Sequence, residues 1–366
     1  MLDLTHSKTD LGIVLAANWV PQLVLILIGG VFADRLPRHL VMVGANVISA
    51  AAQGGIALLL LTGHARLWHL VVLQVLRGAA FSFFFPASAG LVPETVSASQ
   101  LQPANALLAT SRNITNIFGA ALGGALVALS SPGWALAFDA ASYLVSAGIL
   151  GAMRLPPRVA AVEAPNLVRE LAEGWTEFVS RRWIWTIVIA AGFGNMASSG
   201  ATGVYGPVVA KQFLGGAAVW GAITACEGAG LLIGGLILLR YRPQRPIFVG
   251  VAALLVWALP LFFLASVRVS AAVAVGYLLS GLALELFNTS WIVALQQHVP
   301  LEKLSRVSAY DALGSFVFIP LGLTIAGPLA DALGLTHALW LAAAVATATS
   351  VSALSVREVR ELRRLD

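Results

Sequence analysis

The chain has 366 residues, of which 58% are hydrophobic and only 11% charged. An ordinary soluble domain carries about 25% charged residues, so a soluble core is excluded and a polytopic membrane protein is indicated. The net charge of +5 is no nucleic-acid footprint, because the arginines gather at the ends of apolar runs and no basic patch alternates with stacking aromatics. One cysteine, Cys226, and six dispersed histidines exclude a disulfide framework and a metal cluster, and no cofactor is expected.

Eleven apolar runs are each long enough to cross a hydrocarbon core of ~30 Å as a helix. They cover about 11–32, 40–62, 68–91, 104–129, 134–153, 183–206, 217–240, 247–266, 270–292, 307–328 and 335–355, which predicts an all-α membrane protein. Between the first two lies a compact charged turn, Gly30-Val31-Phe32-Ala33-Asp34-Arg35-Leu36-Pro37-Arg38-His39. Gly30 lets the helix end approach a neighbour, Pro37 stiffens the turn, and Asp34 can cap a helix or pair with Arg35 or Arg38. A plain positive loop is the simpler alternative.

Ionisable groups inside the runs are costly unless they face a partner or a cavity. Arg77 in the third run follows Gln74 by three residues. In the fourth, Arg112, Asn116 and Gly119 share a face, and the block Gly119-Ala120-Ala121-Leu122-Gly123-Gly124 suits close helix packing. Asp139 shares a face with Tyr143 and Ser146 in the fifth. Glu227 aligns with Gly230 and Gly234 in the seventh, and Glu285 with Gly281 and Asn288 in the ninth. Asp311 stands near one end of the tenth run, at a helix start or a gate. Buried carboxyls such as Glu227 and Glu285 suit proton exchange, while Arg112 and Asp139 suit interhelical pairing.

The stretch 154–182 is the longest polar break, with Pro156, Pro157 and Pro165 ahead of an amphipathic segment around 167–178. It predicts a linker between an N-terminal bundle, 1–153, and a C-terminal bundle, 183–366. The Lys and Arg residues alternate from loop to loop: sixteen fall on the side of Arg35, Arg245 and Lys303, and four, Lys8, Arg66, Lys211 and Arg268, on the other. This bias places the first group, the linker and the C-terminus in the cytoplasm.

The halves also repeat one another. Gly29-Gly30 before Arg35 matches Gly234-Gly235 before Arg240, and Val92-Pro93 before Asn105-Ala106-Leu107 matches Val299-Pro300 before Asp311-Ala312-Leu313, at offsets of 205 to 207. In the second half 57 residues separate Trp183 from Arg240, whereas only 34 precede Arg35. The difference equals about one crossing helix at ~1.5 Å per residue. The expectation is a twelve-helix design without its first helix, through a start assigned too late or a genuine eleven-helix chain.

The pattern Gly-x-x-x-Asp-Arg-x-x-Arg at Gly30–Arg38 resembles the loop between the second and third helices of the major facilitator superfamily. With Val92-Pro93, Ser290-Trp291 and Arg306-Val307, it is most similar to the bacterial branch of enterobactin exporters and macrolide efflux pumps. The glycine block resembles the antiporter motif of the fifth helix, with Ala120 where proline is usual. Arg77 fits the place of a fourth-helix arginine.

The resemblance implies the major facilitator fold of two pseudo-repeated bundles, and export of amphiphilic small molecules against protons by alternating access. It implies gating by Gly30, Asp34, Arg35, Arg38 and Asp311. Coupling or substrate contact falls to Arg77, Asp139, Glu227, Glu285 and Asn288, and helix packing to Gly119, Gly123 and Gly124. The expected partners are a small-molecule substrate, protons and the lipid bilayer of a bacterial inner membrane, with the chain a monomer and no nucleic acid bound. An importer or uniporter, or an inactive or sensing relative, uses the same features. A membrane enzyme finds no Gly-x-Ser-x-Gly, phosphate loop or metal cluster.

Overall fold

The computed structural model describes residues 7–96, 101–153, 155, 167–241 and 243–365. Among them every regular element is a helix. Residues 156–166 of the expected linker, and the side chains of Gly30, Asp34 and Arg35, lie outside the described residues.

In chain order the helices are α1 (Lys8–Arg35), α2 (Arg38–Leu61), α3 (Leu67–Thr95), α4 (Leu101–Leu129), α5 (Pro132–Gly151) and α6 (Leu167–Ser180). They continue with α7 (Arg182–Leu214), α8 (Ala217–Arg240), α9 (Pro246–Ser266) and α10 (Ser270–His298). Last come α11 (Leu301–Phe316), α12 (Ile319–Leu333), α13 (Leu335–Ser355) and the short α14 (Arg357–Glu361). Among the described residues nine helical stretches are long and apolar enough to cross a membrane, and Phe118–Leu129 is a shorter apolar one. Of the eleven spans expected from sequence, the two not among the nine are 11–32, which falls in α1, and 104–129, which falls in α4; both helices include residues whose side chains lie outside the description.

Prolines decide where the long helices are interrupted. Pro260 cannot donate to the carbonyl of Val256, and the ladder tightens into a 3₁₀ turn over Leu254–Ala258 in the middle of α9. Pro320 likewise has no amide for Phe316, and there the tenth run divides into α11 and α12. Pro207 in α7 is flanked by two π-helical segments, Ala201–Tyr205 and Ala210–Leu214.

The chain divides into two compact units: Met1–Thr115 with Leu122–Glu163, and Asn116–Ala121 with Ala164–Asp366. In the first unit α1 packs on α3, and α2 on α5. A Cβ at Gly78 of α3 would overlap the Asn18 carbonyl of α1, so only glycine permits that approach. Ser82 donates to the Pro21 carbonyl at 3.1 Å across the same contact. In the second unit α8 and α10 meet through two glycines. A Cβ at Gly230 would overlap the Leu278 carbonyl, and one at Gly281 the Glu227 carbonyl. The core of this unit gathers Trp183, Ile184, Ile247, Trp291, Val307 and Val359 from α7, α9, α10, α11 and α14.

Candidate functional site

In the first unit the polar groups of α5 form one stripe, Asp139, Tyr143 and Ser146, and each has a partner on a neighbouring helix. Gln53 Nε2 donates to Asp139 Oδ2 at 2.6 Å, and Asn46 Nδ2 to Ser146 Oγ at 2.8 Å. Arg77 Nη2 donates to the Tyr143 hydroxyl at 3.3 Å. Arg77 meets no carboxylate among the described residues, and its Nε and the Gln74 Oε1 are buried without a partner. The stripe was visible in the sequence; Asn46 and Gln53, seven apart on α2, were not singled out, although that spacing puts them on one face.

Replacing Gln53 with leucine is expected to leave Asp139 without its donor. The expected loss is about 1–3 kcal/mol of stability, the range for an orphaned polar group, read as a lower melting temperature of the purified protein. On α4, Arg112 and Gly119 are exposed and Gly124 half-buried. A Cβ at Gly119 or Gly123 would meet nothing within 4 Å among the described residues.

The second unit brings two carboxyls to one seam. The Glu227 carbonyl of α8 abuts Gly281 of α10, and a Cβ at Gly234 of α8 would lie 2.8 Å from the Glu285 Cβ. The Glu285 carboxyl accepts from the Thr289 hydroxyl at 2.7 Å. Neither carboxyl meets a cation among the described residues. Asn288 is exposed, so the polar neighbour of Glu285 is Thr289 instead.

One turn before Gly281, Tyr277 is 1% exposed, and its hydroxyl lies 3.2 Å from Thr202 Oγ1. The Trp220 ring stands edge-on to Tyr277 at 5.6 Å. Sequence reasoning missed these three. Extending the Gly281–Glu285 face one turn back would have reached Tyr277.

Asp311 links two helices: it accepts from the Trp291 indole at 2.8 Å and from Ser315 at 3.1 Å. Trp291 in turn meets Trp183 edge-to-face at 5.4 Å. In the first unit, Arg38 pairs with Glu94 at 3.4 Å, joining the start of α2 to the end of α3.

Charge is segregated between the two ends of the second unit. At one end Glu177 of α6 bonds Lys303 at 3.0 Å and Arg181 at 2.7 Å, beside a cluster of Trp175, Phe178 and Tyr310. At the same end the tail folds back: Glu358 accepts from the Trp183 amide at 3.1 Å, and Gln297 bonds Leu365 at 2.7 Å. At the other end Arg268 covers the Phe213 ring at 4.3 Å and donates to Thr336 at 2.6 Å.

The hydrogen bond from Lys303, then that from Arg181, holds the Glu177 carboxyl below its ordinary value of 4.5. A depressed carboxylate stabilises the folded form above that ordinary value, and the contribution disappears as pH falls through the lowered one. Replacing Lys303 with methionine is therefore expected to loosen α6 at neutral pH by up to about 1 kcal/mol. In acid, where the wild type loses the same interaction, the change should be small. Amide exchange across Leu167–Ser180 at both pH values checks this.

The sequence matches the Major Facilitator Superfamily over residues 1–319. The chain belongs to that superfamily. This major facilitator protein is 22% identical over 340 residues to macrolide efflux protein A of Streptococcus pyogenes, covering 91% of this chain and 84% of the relative. It is 27% identical over 364 residues to the multidrug efflux pump Tap of Mycolicibacterium fortuitum, covering 92% and 84%. Its fold matches the crystal structure of a bacterial homologue of the human lysosomal transporter Spinster, inward-facing and unoccupied. That match has a TM-score of 0.73 at 15% identity, over 98% of this chain and 91% of the other. A variant of the nucleoside transporter NupG matches with a TM-score of 0.74 at 13% identity, over 96% and 92%. It is a multi-pass membrane transporter and not an enzyme.

Proposed function

We propose that this transporter exports amphiphilic small molecules in exchange for protons, as a monomer in a bacterial inner membrane. The observation that carries the proton reading is the α8–α10 seam, where Glu227 and Glu285 lie inside membrane-spanning helices without a cationic partner among the described residues. A carboxyl so placed is stable when neutral and costly when charged, which suits a group that gains and loses a proton during transport. The efflux names of the relatives from Streptococcus pyogenes and Mycolicibacterium fortuitum support export and the amphiphilic cargo.

In this reading Arg77, Asp139 and Asn288 serve the substrate path or the coupling. Gly30, Asp34, Arg35, Arg38 and Asp311 bias the conformational equilibrium, and Gly119, Gly123 and Gly124 pack helices. Two bundles, 1–153 and 183–366, work around the linker 154–182. The end carrying Glu177, Lys303 and the tail faces the cytoplasm. A cysteine at position 268 should then react with an impermeant maleimide in intact cells, and one at 245 should not; the reverse would invert the orientation.

The function is tested in proteoliposomes holding the full chain, a macrolide as probe and a pH-sensitive dye. Macrolide movement accompanied by opposite proton movement is the expected result. Movement without protons would favour a uniporter, and no movement would remove macrolides from its cargo.

A further inference from the structure

The end of the second unit that carries Glu177, Lys303 and the tail holds more positive charge than its own carboxylates take up. Glu177 is bonded to Lys303 and Arg181, Glu361 to Arg357, and Glu358 accepts from the Trp183 amide. Arg182, Arg240, Arg245, Arg360 and Arg363 are exposed, and Arg364 is half-buried. None of these six pairs with a carboxylate among the described residues.

The six come from separate parts of the chain and are brought to one end by bonds that do not involve their charges. The Arg364 amide donates to the Gln244 carbonyl at 2.9 Å, which holds the tail against the loop that carries Arg245. The Leu365 amide donates to Gln297 Oε1 at 3.2 Å, and Gln297 Nε2 donates back to the Leu365 carbonyl at 2.7 Å. Glu358 ties α14 to the Trp183 amide, one residue from Arg182. Like charges gathered in this way repel one another, and the repulsion works against all three attachments.

The depth of these arginines points to what supplies the opposite charge. α7 begins at Arg182, the apolar stretch of α8 ends at Leu238, and α9 begins at Pro246. Arg182, Arg240 and Arg245 therefore stand at the ends of membrane-crossing helices, where headgroups lie. Exposed Trp175, Tyr241 and Leu365 belong to the same end, and aromatic side chains of this kind settle at the membrane interface. A guanidinium matches a phosphate through two parallel hydrogen bonds. Clusters of about four to eight Lys and Arg residues beside a span attract anionic lipids.

We propose that Arg182, Arg240, Arg245, Arg360, Arg363 and Arg364 form a surface for the phosphate headgroups of anionic phospholipids, and that lipid bound there holds the tail against the helix ends. The proposal rests on the membrane spans and stands apart from proton coupling and cargo.

The test is amide hydrogen exchange of the full chain in two nanodiscs, one of phosphatidylcholine alone and one that also contains phosphatidylglycerol. The amides of Arg364 and Leu365 report the attachment of the tail, since both are donors in it. Their exchange should slow by about fivefold or more when phosphatidylglycerol is present, the scale of one arginine at an anionic surface. Arg245→Gln together with Arg363→Gln should abolish that gain. Equal exchange in the two bilayers, or a gain that survives the glutamine pair, overturns the proposal. So does an equal gain from inorganic phosphate added to the phosphatidylcholine disc, which would make the surface a site for the soluble ion. Protection within Ala217–Leu238 of α8 checks that the double variant is folded. Should that protection be lost, Arg363→Gln alone is judged by the same comparison, and an undiminished gain overturns the proposal.

Discussion

Replacing Glu285 with glutamine is expected to reduce pH-driven uphill export to background while sparing downhill exchange of bound substrate. Glutamine keeps the size of the side chain and can still accept from the Thr289 hydroxyl, as the carboxyl does at 2.7 Å, but it has no proton to release. A substrate gradient can still drive the conformational cycle, so exchange should continue when no pH gradient is imposed. The assay is efflux from loaded vesicles with and without that gradient. Unchanged pH-driven efflux would clear Glu285 and move the role to Glu227, which occupies the same seam. Loss of exchange as well as driven export would indicate that Glu285 binds substrate or supports folding.

The second large effect is mechanical. Gly281→Leu is expected to destabilise the protein by about 3 kcal/mol or more, beyond the usual cost of overpacking. Its first side-chain carbon would overlap the Glu227 carbonyl, a backbone atom that cannot rotate away. Relief requires α8 and α10 to separate along their whole contact, which also disturbs Gly230 against Leu278. Gly235→Ala is the control: on the same α8, a Cβ there meets nothing within 4 Å among the described residues, and the change should stay within about 0.5 kcal/mol. Thermal unfolding of both variants in one detergent gives the comparison. Similar melting temperatures would mean that the seam is looser than its geometry indicates.

The helical membrane fold was legible because hydrophobicity over twenty residues is a strong and local signal. The superfamily was legible through the charged turn at Gly30–Arg38. The faces of α5, α8 and α10 also followed from spacing, since helical periodicity is intrinsic to each segment. Partners across helices did not follow. Nothing local says that Gln53 rather than Arg77 meets Asp139, because that depends on how α2, α3 and α5 are arranged.

Glycines show the same limit. The block at Gly119–Gly124 reads as a packing motif, yet among the described residues a Cβ at Gly119 or Gly123 meets nothing within 4 Å, while close backbone approaches occur at Gly78, Gly230, Gly281 and Gly322. A small residue permits contact, and a neighbour must be present to use it. Asn288 was read as the polar companion of Glu285 from its spacing of three, but the companion is Thr289, at a spacing of four. The π-helical segments of α7 left no pattern in the sequence beyond Pro207 itself.

The three interrupted spans give the second unit an uneven stiffness. Pro207 in α7, Pro260 in α9, and Pro320 and Pro328 in α12 each remove a backbone bond within a span, whereas α8 and α10 contain no proline. An unbroken helix resists bending along its whole length, and one missing rung concentrates flexure at a point. The paired α8 and α10 therefore behave as a rigid spar, with α7, α9 and the α11–α12 pair jointed around it. Any bending of this unit during a transport cycle should occur at those prolines, and the carboxyls on the spar should keep their mutual spacing throughout.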